Sequence, residues 1–504
     1  MNTNNKKTAD FISNLENKSS RYWDSQREKS ALKVFHDAAN TVPAYKDFLK
    51  KHKIDHLKIR NYTDFEQVPL TNKNNYLREY PLESLCRGGT LASQLVFTST
   101  SGSTGEPFYF CRNSELDWQY SIIQEKFFKN HKNINRDDST LVIVCLGMGV
   151  WIGGLITYQS IQLMSERGKF PVSLLTPGIN KDEIFNALKN IAPKFSQVVL
   201  CGYPPFIKDV IDEAPSRGID LKNIPLRLIF AAESFTEGFR EYLRDETGIK
   251  NDMLDTMNIY GSADIGAMAF ETPLSILTRK IATKNSKIFQ GLFSGTTKTP
   301  TFAQYIPPFI TFEEVEQQII LTGKNAIPLV RYAIGDNGGV MSHEEVESVF
   351  ATNGISLQME MKNAGIQNSC TKLPFVYIYE RSDFASKLYG ATIFPEHIKS
   401  GLIIKTLQKM VTGKFSMITQ FDKKHSEYLE VNVELKAKVL PSKALEKAVT
   451  AALVASLRKH SAEYENNFKQ SPERVTPKVI FWSYEHQIYF RPGVKQQWLQ
   501  KIKK

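Results

Sequence analysis

In the central part of the chain, short apolar runs alternate with amphipathic stretches. The runs predict buried strands at 141–146, 172–175, 198–201, 226–231, 257–260 and 318–322. Between them, apolar residues recur every three or four positions, which predicts helices at 114–129, 181–190 and 206–213. This alternation indicates a doubly wound α/β body, in which ligands bind at the carboxyl ends of the strands.

The two ends of the chain follow other patterns. Residues 1–60 are polar, with apolar positions at helical spacing that Pro43 is expected to end. After residue 381, a helical pattern at 441–459 and strand-like runs at 427–435 and 479–482 predict an α+β module. We therefore expect a large N-terminal body with mixed sheets at 1–381 and a small C-terminal domain at 382–504.

Composition narrows the class of protein. A chain of 504 residues is too long for one core, and 41% hydrophobic with 23% charged residues is typical of a soluble globular protein. No run approaches the roughly 20 apolar residues of a membrane span, and no apolar segment follows the polar N-terminus as in a secretory signal. The five widely spaced cysteines include no CxxC pair, which argues against a disulfide framework or zinc site. A reducing cytoplasm is the predicted location.

The net charge of +11 is concentrated at one end. Residues 382–504 carry 21 Lys and Arg against 11 Asp and Glu, whereas the preceding residues carry 43 and 42. A basic C-terminal module favours a polyanionic partner. Nucleic acid is disfavoured because the usual recognition motifs are absent from the sequence. An acidic carrier protein, a phosphorylated cofactor and simple surface solvation remain open.

The segment TSTSGSTGEP at 98–107 is the strongest candidate for chemistry. Its hydroxyls and glycines offer side-chain and backbone donors, which suit a polyphosphate. It is not a Walker A loop, because Glu106 and Pro107 stand where the Lys-Ser/Thr pair would be. A surface turn is the alternative interpretation.

Three later segments carry further candidates. In NIYGSAD at 258–264, a strand ends in an aromatic residue, and a carboxylate follows four positions later. That arrangement can stack a purine and hold a metal near its phosphates. In PLVRYAIGD at 328–336, the last carboxylate can accept hydrogen bonds from both ribose hydroxyls. The third segment is ERSD at 380–383. Each segment alone is a weak indication of function, and the order of the segments along the chain is the stronger one.

In this order the segments resemble the adenylate-forming superfamily of acyl ligases, whose pattern runs S/T-S-G-S/T-T-G-x-P, YG-x-x-E, Y-x-x-GD, R-x-D and a late Gly-x-Lys. The segments NTVPAY at 40–45, VPLTNK at 68–73 and PLVRYAIGD at 328–336 resemble elements of its phenylacetate–CoA ligase branch. The resemblance covers nearly the whole chain.

The resemblance implies a two-step reaction with ATP and Mg²⁺. A carboxylate attacks the α-phosphate of ATP to give an acyl-adenylate and pyrophosphate, and a nucleophile then displaces AMP. The expected acceptor is the thiol of CoA or of the phosphopantetheine on a separate carrier protein. Transfer to an amine or a protein side chain is an alternative, as is a non-catalytic relative that binds a nucleotide or polyanion.

The resemblance also implies individual site residues. Tyr260 is expected to stack on the base, Asp336 to bind the ribose, Arg381 to approach the ribose and α-phosphate, and Asp264 to hold the metal. The full expected ATP and AMP site is Thr100, Ser101, Gly102, Ser103, Thr104, Gly105, Ala232, Glu233, Ser234, Asn258, Tyr260, Gly261, Ser262 and Asp336.

Two expectations concern movement of the C-terminal domain. Asp383 matches the family's hinge residue, about which that mobile domain rotates between the half-reactions. Lys495, in RPGVK, best matches the late catalytic lysine, which would stabilise charge at the α-phosphate. The rivals for this role are Lys414, Lys501, Lys503 and Lys504.

The acid pocket is expected around GMGVWIGG at 147–154 and YPP at 203–205. Trp151 and Tyr203 favour an aromatic or medium apolar acid, with plain core packing as the alternative. The chain departs from the family pattern at three places. Asp264 stands where Glu is usual, Glu106 where Lys is frequent, and AI at 333–334 replaces the more usual Arg-Thr.

Overall fold

The computed structural model describes residues 3–93, 95–99, 108–130, 138–150, 152–296, 299–381, 385–407, 409–486 and 489–490, without the side chains of 3–5, 380 and 381. Its helices are α1 Thr3–Asn17, α2 Ser20–Thr41, α3 Pro43–Lys51, α4 Tyr62–Phe65, α5 Leu82–Leu85, α6 Ser114–Lys129, α7 Ile152–Glu166, α8 Lys181–Asn190, α9 Pro204–Glu213, α10 Glu237–Glu246, α11 Asp252–Asp255, α12 Pro273–Lys284, α13 Ser286–Leu292, α14 His343–Thr352, α15 Leu357–Asn363, α16 Pro395–Leu402, α17 Lys443–His460, α18 Ala462–Gln470 and α19 Pro472–Val475.

The strands are β1 Val96–Ser99, β2 Tyr109–Arg112, β3 Thr140–Cys145, β4 Val172–Leu175, β5 Gln197–Gly202, β6 Leu226–Ala231, β7 Thr256–Ser262, β8 Gly266–Phe270, β9 Thr301–Gln304, β10 Ile310–Val315, β11 Gln318–Gly323, β12 Leu329–Met341, β13 Phe375–Arg381, β14 Ser386–Leu388, β15 Ala391–Ile393, β16 Val411–Phe421, β17 Glu427–Leu435 and β18 Lys478–Trp482.

Eleven strands form one mixed sheet in the order β10-β11-β12-β13-β9-β8-β7-β6-β5-β3-β4. The five strands from β4 to β7 are parallel, and the pairs from β7 to β10 are antiparallel. Helices α8 and α9 pack on one face of the parallel half, and α6 and α7 pack on the other. The prediction of a doubly wound body with mixed sheets is confirmed.

The C-terminal elements form a smaller region with its own sheet. Strands β16, β17 and β18 pair in that order, and β14 with β15 forms a separate hairpin. The apolar core of this region is continuous with one face of the large sheet, since Tyr389 and Leu402 belong to the same buried cluster as Phe206 and Ile207. The predicted α+β content after residue 381 is confirmed.

Two local predictions need correction. Pro43 was expected to end a helical pattern. It is also the first residue of the next helix, α3, where its missing N–H is tolerated. The strand predicted to end at Tyr260 continues through Gly261 to Ser262 as β7, and Gly335 and Asp336 lie within β12 rather than after a strand. Antiparallel partners extend both strands past these points, with irregular register nearby and Gly335 at φ 86°.

Within the described ranges, no helix combines the length and the apolar character needed to cross a membrane.

Candidate active site

A cleft of about 1010 Å³ opens beyond the carboxyl ends of the parallel strands β5, β6 and β7. Predicted site residues from several distant segments meet on its walls. Those that line it are Tyr203, Ala232, Glu233, Ser234, Asn258, Tyr260, Gly261, Ser262, Asp264 and Asp336. The structure therefore brings the candidate nucleotide and metal residues to one place, and their individual roles stay predictions.

Other predicted site residues fall outside the described part of the chain, namely Thr100, Ser101, Gly102, Ser103, Thr104, Gly105, Trp151, Asp383 and Lys495. Ser99, the last residue of β1, lines the cleft, so the predicted phosphate loop begins at the cleft edge. The backbone of Arg381 lies opposite Asp336 in the β12–β13 ladder.

The Tyr260 and Asp336 side chains are in direct contact. The Tyr260 hydroxyl donates to Asp336 Oδ2 at 2.5 Å, and its ring is inclined by 29° to the Phe312 ring, with the centroids 6.4 Å apart. The phenol therefore orients the carboxylate that is predicted to bind ribose. Phe312 is the aromatic neighbour of the ring that is predicted to stack on the base.

Asp264 is held by two neighbours. The Tyr332 hydroxyl donates to Asp264 Oδ2 at 2.7 Å, and Lys73 Nζ lies 3.7 Å from Asp264 Oδ1. No group of three or more His, Cys, Asp or Glu side chains in the described ranges could hold a metal by itself. One cleft carboxylate fits Mg²⁺, which usually takes one or two carboxylates and completes its coordination with phosphates and water.

Lys73 is a cleft residue that the sequence interpretation left without a role. It begins a π-helical turn, Lys73–Leu77, that Asn72 caps through its side chain. The sequence signal for this lysine is the VPLTNK segment at 68–73, of which it is the last residue. Its ammonium is the cation paired with Asp264 in the described part of the chain.

A buried anchor holds this N-terminal segment on the large sheet. The Arg331 guanidinium pairs with Glu313 at 3.0 Å and donates to the Val68 carbonyl at 2.5 Å. Thr71 donates through its hydroxyl to the Val330 carbonyl at 2.7 Å. Because β12 also carries Asp336, one strand positions both the ribose candidate and the lysine-bearing turn.

The segment after β6 forms the wall beside Asn258. Ala232 has φ 75°, a left-handed conformation that is unusual for alanine and common at functional sites. Asn258 donates through Nδ2 to the Glu233 carbonyl at 2.9 Å, whereas its buried Oδ1 has no hydrogen-bond partner in the described structure. An acceptor held in this way, in a cleft, suits an amino group of a ligand.

The apolar end of the cleft is lined by Tyr120, Leu146, Ile152, Gly153, Ile156, Thr157 and Ala267. The Tyr120 and Thr157 hydroxyls lie 3.4 Å apart. The predicted pocket residue Tyr203 faces this space and also contacts a C-terminal turn at Gly390. This end is mostly apolar with a few hydroxyl groups, which suits an organic acid of modest size.

No protein-family model matches the chain, and no curated protein is significantly similar to it. Solved structures of 2-hydroxyisobutyryl-CoA ligase are similar. The complex with 2-HIB-AMP and CoA in the thioesterification state is 15% identical, covers 96% of this chain and 91% of that one, and has a TM-score of 0.62. Its open conformation is 15% identical over 94% and 90%, with a TM-score of 0.52.

The postadenylation state of the same ligase, with R3-HIB-AMP, is 14% identical over 97% of this chain and 90% of that one, with a TM-score of 0.52. At such low identity these likenesses show the fold. The assignment to the phenylacetate–CoA ligase branch stays a prediction. The chain has the fold of the adenylate-forming acyl ligases.

Proposed function

We propose that the chain is an AMP-forming ligase that activates a carboxylic acid with ATP and transfers the acyl group to a thiol. The observation that carries the proposal is the convergence of Asn258, Tyr260, Asp264, Asp336 and Lys73 on one cleft. The known fold supports it, because 2-hydroxyisobutyryl-CoA ligase has been solved with an acyl-adenylate and CoA.

The nucleoside half of ATP fits the residues between β6 and β12. Asn258 Oδ1 would accept from the amino group of adenine, and the Tyr260 ring would lie against the base. Asp336 would accept from the ribose hydroxyls, with its carboxylate held in place by the Tyr260 phenol. Such charge-assisted bonds are about twice as strong as neutral ones.

The triphosphate would extend toward Asp264 and Lys73. A Mg²⁺ ion held by Asp264 would neutralise phosphate charge, and the Lys73 ammonium would pair with the β- or γ-phosphate. The hydroxyl-rich loop that follows Ser99 would donate to the same oxygens. Adenylation depends chiefly on this charge compensation and on the in-line position of the acid carboxylate.

The acid would occupy the apolar end beside Tyr203. An aromatic or medium apolar acid is the proposed substrate class. The proposed acceptor is the thiol of CoA or of a carrier-protein phosphopantetheine, and Lys495 is the proposed cation at the α-phosphate. Rotation of the region 382–504 about Asp383 would exchange Lys495 for the acceptor.

Pyrophosphate exchange with a panel of acids tests the first step, and hydroxylamine trapping identifies the activated acid. We expect acid-dependent exchange that is lost in Lys495→Ala and retained in Lys501→Ala. ATP binding without exchange for any acid would contradict the proposal. That result would favour a non-catalytic nucleotide-binding protein.

A further inference from the structure

A C-terminal turn inserts into the cleft at Tyr389 and Gly390. Both residues have left-handed backbone, with φ 50° and 80°. A Cβ on Gly390 would lie 2.7 Å from the Tyr203 ring, so only glycine allows this approach. The Tyr389 N–H donates to Glu427 Oε2 at 3.0 Å, and the next N–H, of Gly390, donates to Glu233 Oε1. Successive amides of one turn thus bind carboxyl groups from both parts of the chain.

The Glu233 and Glu427 carboxyl groups are both buried, and they lie side by side because they accept from the adjacent amides of Tyr389 and Gly390. Two carboxylates buried together cannot both be ionised without a large penalty. Burial and the Glu233 charge raise the pKa of Glu427 well above its usual range. Burial also raises the pKa of Glu233, against the lowering effect of the Gly390 N–H. We therefore expect the pair to retain one proton between them.

Charged groups from β14 and α18 face this pair. The Lys387 ammonium favours the ionised form of Glu233. Glu463 accepts from the Thr392 N–H at 3.3 Å, and burial raises the pKa of Glu463. The Lys387 charge also acts on Glu463, so one ammonium is shared between Glu233 and Glu463.

Asp209 of α9 faces the pair from the other side. Its carboxylate accepts from the Tyr389 hydroxyl at 3.0 Å and lies 3.2 Å from Arg474 and 3.9 Å from Lys181. Burial raises the pKa of Asp209 to about 6 despite both cations. When ionised, Asp209 adds to the negative field that keeps Glu427 protonated.

We propose that Glu233 and Glu427 are positioning residues that share one proton and thereby hold the Tyr389–Gly390 turn in the cleft. Docking of the C-terminal region takes up this proton, and undocking releases it to solvent. The role in the ligase cycle rests on the proposed function, whereas the docking itself does not.

The direction of the pH dependence follows from the raised pKa. An exposed glutamate titrates near about 4.3, so docking is favoured fully below that pH and weakens as pH rises toward the docked pKa. One linked proton changes the docking equilibrium about tenfold per pH unit in that interval.

Energy transfer between dyes on two exposed positions, Lys189→Cys and Lys443→Cys, measures docking in the full-length chain, with Cys370→Ser to limit labelling elsewhere. We expect the docked fraction to fall with rising pH. Glu427→Gln keeps a donor that cannot ionise, so its docking should lose most of the pH dependence. Glu427→Ala should undock at every pH, and the exposed Glu396→Gln should match the parent chain.

A Glu427→Gln chain that keeps the parent's pH dependence would overturn the proposal, as would docking that is independent of pH in the parent. Circular dichroism checks folding, and Glu233→Gln gives the same test if Glu427→Gln fails to fold. The dye signal needs no substrate, so absence of exchange would defeat the ligase proposal and leave docking intact. In an active enzyme, identical pH profiles of exchange and acyl transfer in parent and Glu427→Gln would overturn the role in catalysis.

Discussion

The Tyr260 hydroxyl and Asp336 Oδ2 lie 2.5 Å apart, although three strands separate β7 from β12 in the sheet order. Neighbouring strands are about 4.8 Å apart, so four steps across a flat sheet would place these strands roughly 19 Å from each other. The sheet therefore curls around the cleft, and β8 meets β9 at the single pair Phe270 and Gln304. This curl makes one binding site from both halves of the sheet.

Removing the phenol oxygen tests this contact. In Tyr260→Phe the ring remains, but the Asp336 carboxylate loses a donor that is worth about 1.5–3 kcal/mol. We expect the Kd for ATP, measured by calorimetry, to rise roughly tenfold or more. Tyr484→Phe, at an exposed tyrosine, is the control. Unchanged ATP affinity in Tyr260→Phe would show that Asp336 does not need this orientation or does not bind the nucleotide.

Asn258 provides a test of base recognition. Its unpartnered Oδ1 predicts selectivity for a purine with an amino group at the position where inosine carries a carbonyl. We expect the parent chain to bind ATP about tenfold more tightly than ITP, and Asn258→Ala to bind the two nearly equally. The ratio of the two Kd values is the readout, since a general loss of stability would lower both affinities together. A preserved ratio would contradict the assignment.

Lys73 is expected to distinguish ATP from AMP. Lys73→Met keeps the apolar stem near Phe110 and removes the charge beside Asp264. Hydrogen bonds to charged groups contribute about 1.5–3 kcal/mol, so we expect ATP affinity and pyrophosphate exchange to fall roughly tenfold or more while AMP affinity changes little. The exposed Lys51, paired with Asp47, provides the matched control Lys51→Met. Equal loss of ATP and AMP binding would contradict a contact between Lys73 and the β- or γ-phosphate.

The anchor formed by Arg331 is predicted to be structural. Arg331→Ala would leave the buried Glu313 carboxylate without its cation, which typically costs about 3–5 kcal/mol. We expect a fall of that size in the free energy of unfolding by urea. Arg217→Ala breaks an exposed pair with Asp182 and should cost no more than about 1 kcal/mol. Similar losses in the two variants would mean that the anchor contributes little.

The elements that the sequence predicted well are those whose signal is local. Helices α6 and α8 and strand β17 begin and end where the apolar pattern placed them. Hydrophobic periodicity depends on which face of one element is buried, and neighbouring residues report that directly. The order of the motifs also pointed correctly to the fold, because glycines and carboxylates can be recognised in the sequence without knowledge of the residues that they contact.

The contacts that define the cleft depend on pairing between distant segments. The turn that carries Lys73 is held against β12, and the carboxyl of Glu427 meets Glu233 through an intervening turn. The extension of β7 and β12 through their glycines likewise depends on antiparallel partners elsewhere in the chain. Periodicity within one element contains no information on such partners, because they are selected by the burial and hydrogen bonding of the assembled sheet.

The amino-acid pattern was therefore sufficient for the α/β class, most element positions and the nucleotide-site candidates from Ala232 to Asp336. Folding in three dimensions decided which of them share a cleft, that Tyr260 orients Asp336, and that two glutamates meet at the base of a C-terminal turn. The physical reason is that the chemistry of a side chain is set by its own residue type, whereas distances, burial and contacts arise only between segments that the fold brings together.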